Sequence, residues 1–337
     1  MRWLPPVLNQ RLRSFIQVVV AIVSLLLTDQ IARYFGLHRA AGLLCLASLA
    51  ALVVSVCLGW RQALLGASGL ALLCIPAALS YGDPLTSTIV ITLTAFALGL
   101  SARWQLQQAY WLMVVSLCLL ITNSPFTGAP SAADVIRLAS AVLLSGGLAI
   151  MLQTRLVPLD PSRTAPQLFV LAHSWRRSGA YGLLLASTTL VSTPMAVHHH
   201  WHITGLWLIL TPFLVLRPFV RDSWKVALHR SLGTVAGVLL VMVLALLLPK
   251  ALPLQVPAIV VGVITAMIAI RRGHPALVLM ALTVTIVLFN SNHVDLLRMA
   301  DRRLEAVGLG VALALGVMAI AHPIEQRFIR GRVEASP

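Results

Sequence analysis

Charge is scarce in this chain. Of 337 residues only 10% are Asp, Glu, Lys or Arg, whereas 59% are hydrophobic, and the mean hydropathy is +0.91. A soluble domain carries roughly a quarter charged residues, so this scarcity excludes a surface that water could cover. Alternation of polar and apolar positions is missing too. The apolar runs are continuous, which excludes a membrane β-barrel. Cysteine is limited to Cys45, Cys57, Cys74 and Cys118, each inside an apolar run and without metal-ligand spacing. They read as small hydrophobes, not as a zinc or redox device. Lysine occurs only at Lys225 and Lys250, and nothing about function is read from that.

What the chain has instead is apolar runs of membrane-spanning length. The hydrocarbon slab is about 30 Å thick and a helix rises about 1.5 Å per residue, so about 20 apolar residues cross it. The runs predict an all-α, polytopic integral membrane protein with about twelve spans. They fall at 15–36, 39–58, 62–80, 85–102, 108–123, 134–155, 178–196, 203–219, 230–248, 255–270, 275–290 and 302–322. Turn signals separate them, such as Tyr81-Gly82-Asp83-Pro84 and Asn123-Ser124-Pro125. The stretch from Phe15 to Leu27 resembles a signal-peptide core, but no small-residue cleavage site follows. It reads as the first span.

The formal charge of +15 would suit a nucleic-acid binder, yet the basic residues are scattered through short loops. There they set topology against an anionic leaflet, so the partner expected is the lipid bilayer and not nucleic acid. With the N-terminus inside, 18 basic residues fall on the cytoplasmic side and seven on the outer side. That bias predicts cytoplasmic termini and an even number of spans in a bacterial inner membrane.

The chain divides into a first six-helix repeat (1–155), a proline-containing cytoplasmic linker (156–177), a second six-helix repeat (178–325) and a tail (326–337). Landmarks recur between the halves. Arg13-Ser14 corresponds to Arg177-Ser178, and Ala133-Asp134 with Arg137-Leu138 corresponds to Ala300-Asp301 with Arg303-Leu304. Six spans per copy make the repeats parallel.

The densest motif runs from Gly205 to Gly237: Gly205-x-Trp207 with Thr211, Leu216-x-Pro218, Ser223, then Arg230-x-x-Gly233-Thr234-x-x-Gly237. This pattern resembles the fusaric-acid-resistance-like family of inner-membrane proteins, which is allied to the aromatic acid exporters. Arg302-Arg303-Leu304-Glu305-Ala306-Val307-Gly308 is similar to that family's last-span block. The likeness is clearest over 200–325. It implies efflux of aromatic or related weak carboxylic acids from the cytoplasm. The large soluble domains of many family members have no counterpart in this chain.

Physical readings stand beside the resemblance. Pro218 predicts a cytoplasmic elbow. Gly233, Thr234 and Gly237 form a small-residue face for close helix packing. Arg230 opens the same helix, either as a topology anchor or as a contact for a departing anion. Trp207 and Thr211 share one stripe that could line a path, and Arg303 joins these path candidates. Glu305 and Asp29 are candidates for proton coupling, since a carboxylate in lipid has a raised pKa; the alternative for each is a structural ion pair, with Arg33 in the case of Asp29. The run His198-His199-His200-x-His202 lies at the outer interface beside Trp201, and no metal site is expected of it.

No nucleophile–base pair or cofactor motif reaches specific strength, so neither an enzyme nor a cofactor is expected. The expectation is an organic-anion efflux transporter. A passive anion channel and a non-transporting envelope component that binds lipid or a partner protein stay open, as do a homo-oligomer and a periplasmic adaptor.

Overall fold

The computed structural model describes residues 6–104, 106–126, 128–157, 174–199, 202–217, 220–247, 254, 257, 260–261, 274–290 and 296–333. Eleven α-helices occur among them: α1 Pro6–Tyr34, α2 Ala41–Leu58, α3 Trp60–Leu79, α4 Pro84–Ser101, α5 Gln107–Thr122, α6 Ala132–Leu156, α7 Trp175–His198, α8 His202–Val215, α9 Val220–Leu247, α10 Pro275–Asn290 and α11 Leu296–Val333. No strand is found among the described residues. In hydrocarbon no water satisfies a free N–H or C=O, so a helix that closes its own hydrogen bonds is the economical answer.

Local chemistry sets the ends. Gly36 and Gly59 break the chain at φ +68° and +90°, backbone angles that side-chain-bearing residues rarely adopt. The Asp83 carboxylate caps α4, accepting from the Thr86 hydroxyl and from the Leu85 and Thr86 amides, with Pro84 in the first turn. Those bonds, the Thr86 hydroxyl foremost, hold the Asp83 carboxyl below its ordinary range. Ser131 and Asp134 form a reciprocal capping box on α6, and Ser174 accepts from the Arg177 amide at the start of α7.

Eight helices are long and apolar enough to cross a membrane, which makes this a multi-pass membrane protein. Among the described residues that accounts for eight of the twelve spans expected. The fifth and eighth spans form the shorter apolar helices Ala109–Thr122 and Thr204–Val215, and α10 has 16 residues. The predicted tenth span, 255–270, lies almost wholly outside the described residues. The short helices are apolar on every side, as a helix enclosed by protein is. Leu117, Cys118, Leu120 and Ile121 of α5 are buried, and so are Leu208, Ile209, Leu210 and Thr211 of α8.

The chain forms two compact units, 1–206 and 207–337, with the boundary inside α8. In the first, α6 packs on α2 and α3, while α7 packs on α4. In the second, α9 packs on α10 and α11, around Val238, Val241, Val284, Leu288 and Leu296. The proline-containing linker expected at 156–177 lies largely outside the described residues.

Burial runs opposite to that of a water-soluble bundle. α3 buries Ala63, Ala67, Ala71, Ala77 and Ala78 and exposes Leu65 and Leu72 by about two thirds. Lipid is as apolar as leucine, so leucine gains little by turning inward. Small residues turn inward because they let backbones approach. The closest such approach is at α4 and α7, where a Cβ on Gly99 would land on the Gly182 backbone. Gly179, on the same α7, faces open space.

Gly99→Ala should therefore destabilise the protein by about 1–3 kcal/mol, the cost of overpacking a site that cannot give. Gly179→Ala should be neutral or stabilise by up to about 1 kcal/mol through helix propensity. Thermal unfolding of the two purified variants checks the pair. Equal effects of one sign would contradict the packing described.

Candidate functional site

Two arginines are buried inside the second unit. Arg230 of α9 is 4% exposed and Arg303 of α11 is 5% exposed. A headgroup anchor extends its charge to water, and neither of these does. Their charges are close enough to act on one another.

The partners that hold them are neutral. Arg230 Nη2 donates to Thr211 Oγ1 at 3.3 Å, and that hydroxyl donates onward to the Trp207 carbonyl at 2.7 Å. The Arg303 guanidinium lies over the Trp207 ring, 3.8 Å from its centroid. Trp207 and Thr211, one turn apart on α8, thus hold one arginine each. Among the described residues Arg230 Nε and Arg303 Nε and Nη1 have no hydrogen-bond partner. Among the described residues neither arginine forms an ion pair.

Local features assemble the cluster. α8 ends at Val215, and its elbow is tied by the Arg217 amide donating to Ser223 Oγ at 2.7 Å. That hydroxyl closes the turn by donating to the Arg217 carbonyl at 3.4 Å. The elbow brings Arg230 back alongside Thr211. Pro218, expected to make the bend, lies outside the described residues. On α11, Gly310 lets the helix rest against α8, since a Cβ there would meet Thr211 Cβ at 2.6 Å. Arg303 sits about two turns from Gly310 on the same buried face, with Ala306, Val307 and Ala314.

Magnitudes decide how this cluster is read. A hydrogen bond from a charged group contributes about 1.5–3 kcal/mol and a desolvated cation–π contact about 2 kcal/mol. Removing a guanidinium from water costs several kcal/mol per ion even after relaxation, and two like charges repel. The neutral contacts position the arginines but do not offset their burial.

The other predicted residues are elsewhere. Glu305 lies on the exposed side of α11 with Asp301 and Arg302, away from the face that carries Arg303. Asp29 is 41% exposed and pairs with Arg33 at 2.9 Å. Gly233 and Gly237 rest against α10, where added Cβ atoms would meet the Ala276 carbonyl at 2.7 Å and Thr283 Cβ at 2.7 Å. Thr234 is buried beside them. His198 and His199 stack edge to face at 5.3 Å, whereas His200 and the side chain of His202 lie outside the described residues. No group of three or more potential metal ligands is found among the described residues.

Residues 185–317 match the family described as fusaric acid resistance protein-like. The likeness read from the Gly205–Gly237 motif and the last-span block therefore holds over that stretch. The matched region contains Trp207, Thr211, Arg230, Arg303 and Gly310. No curated protein and no solved structure matches the chain. Of the cluster's residues, Gly310 carried no signal of its own in the sequence. Only the three-dimensional approach of α11 to α8 singles it out.

Replacing Arg303 by methionine removes one uncompensated charge and keeps an apolar side chain against Trp207. The expected result is a protein that is more stable without ligand, by about 1–4 kcal/mol as in other buried-ion replacements. Thermal unfolding in low-salt detergent checks it. A fall in stability would mean that Arg303 is structural.

Proposed function

We propose that the protein is an inner-membrane efflux transporter for organic anions, moving weak carboxylic acids out of the cytoplasm. The observation that carries this reading is the pair of buried arginines, Arg230 and Arg303, with three guanidinium nitrogens lacking hydrogen-bond partners. Ionisable residues inside membrane segments mark substrate pathways, and here both charges suit an anion. The family match over 185–317 supports transport or resistance as the functional class, and its printed description supports a weak organic acid as cargo.

The charge bias of the loops supports cytoplasmic termini, which would send α9 outward and α11 inward. Each arginine lies about 10 Å into its apolar window, roughly a quarter of the way along it, so both would sit within the membrane-spanning part of their helices. The landmarks shared by the two halves support a reading as parallel repeats. An inside-negative potential favours anion exit by about 2.3 kcal/mol per charge per 100 mV, so efflux does not require a proton. With Glu305 on the exposed side of α11 and Asp29 paired with Arg33, membrane potential is the driving force proposed.

The test is flux of carboxylates from proteoliposomes under a set potential. Wild-type protein should release them, and Arg230→Ala should reduce the rate at least about tenfold, the equivalent of 1.4 kcal/mol, with insertion intact. Undiminished flux from Arg230→Ala would remove the site from the pathway. A deletion strain should also become more sensitive to the acids that the vesicles release.

A further inference from the structure

We infer that the ligand of the arginine cluster is an anion carrying two negative charges, such as a dicarboxylate, and that charge rather than an aromatic ring selects it. This inference rests on the proposed anion site and narrows its substrate class.

Two observations carry it. The first is charge balance. Arg230 and Arg303 bring two positive charges into one buried cluster with no carboxylate paired to either among the described residues. A monoanion would neutralise one guanidinium and leave the other uncompensated. A dianion would neutralise both and relieve their mutual repulsion. The donors with no partner are also divided between the two arginines, Nε of Arg230 on one and Nε and Nη1 of Arg303 on the other. A ligand with two acceptor groups can meet both sets, each by a charge-assisted hydrogen bond.

The second observation concerns the one aromatic ring in the cluster. Trp207 would be the natural platform for an aromatic acid, but the Arg303 guanidinium already lies 3.8 Å above its centroid. The ring face that attracts a cation has been given one by the protein itself. A substrate ring stacked there would have to displace Arg303, and with it the charge that its carboxylate needs. On this face the indole holds the arginine in place and is not open to the ligand.

A two-by-two set of probes separates charge from ring: butyrate, succinate, benzoate and phthalate, all fully ionised, binding to the purified full chain in detergent. Succinate and phthalate should each bind at least about tenfold more tightly than butyrate and benzoate, whatever the ring. Arg303→Gln should reduce that preference to within about twofold while still binding monoanions, and Arg303→Lys should restore it. If Arg303→Gln does not fold, Arg230→Gln provides the same measurement. Binding that ranks benzoate and phthalate above butyrate and succinate would overturn the inference, as would equal affinity for mono- and dianions. Tight dianion binding without vesicle flux would uphold it and overturn the transport reading. Flux that treats both charge classes alike would do the reverse, and no anion binding at all would overturn both.

Discussion

The solvent governs this molecule. A chain that is 59% hydrophobic and 10% charged folds where water cannot bond its backbone or hydrate its charges. Helices follow because each closes its own hydrogen bonds. Association between them gains little from the hydrophobic effect, since a leucine is as well placed against a lipid tail as against another helix. Contact distance is what remains to be gained. That explains why alanines fill the inner face of α3, why Gly99 meets Gly182, and why Gly233 and Gly237 rest against α10. The exposed leucines would be a liability in water and are the normal lipid face of such a bundle.

The same solvent makes the arginine cluster the structure's least economical feature. Among the described residues the other charged side chains stay out of the buried interior or pair locally, as Asp29 with Arg33 and Asp134 with Arg137. Arg230 and Arg303 follow neither rule. Their contacts are one hydroxyl and one ring, and both are electrically neutral. A fold selected for stability alone would place methionine or leucine at these positions. On the anion-binding reading proposed above, this uncompensated charge is where stability is given up for binding.

What could be read from the sequence was whatever is local. Helix class and most boundaries came from run length and from turn signals such as Asp83-Pro84 and Asn123-Ser124-Pro125, because turns involve neighbours in the chain. The pairing of Asp29 with Arg33 was visible as an i, i+4 spacing. The close face of Gly233 and Gly237 was visible for the same reason. The arginine cluster was not visible as a unit. Charge bias assigned Arg230 to the cytoplasmic side and Arg303 to the outer side, and nothing in the spacing joins α9 to α11. Glu305 shows the converse. It stands two residues from Arg303, yet helical phase turns it to the exposed side. The burial of α5 and α8 also escaped, since an apolar run does not say whether lipid or protein surrounds it.

The anion-binding reading proposed above gives the neutral partners a reason. A carboxylate beside Arg230 would hold it more firmly than Thr211 does, but it would also cancel the charge and compete with any arriving anion. A hydroxyl can orient a guanidinium without neutralising it. Thr211 donates its proton to the Trp207 carbonyl at 2.7 Å, so its remaining lone pairs face Arg230 as acceptors only. The indole of Trp207 does the same for Arg303 through its ring, fixing position while leaving the charge intact. Both supports come from one turn of α8, and Gly310 lets α11 approach that turn closely enough for Arg303 to reach it. The small residue, the hydroxyl and the ring therefore act together: they make two positive charges tolerable in an apolar interior without making them satisfied.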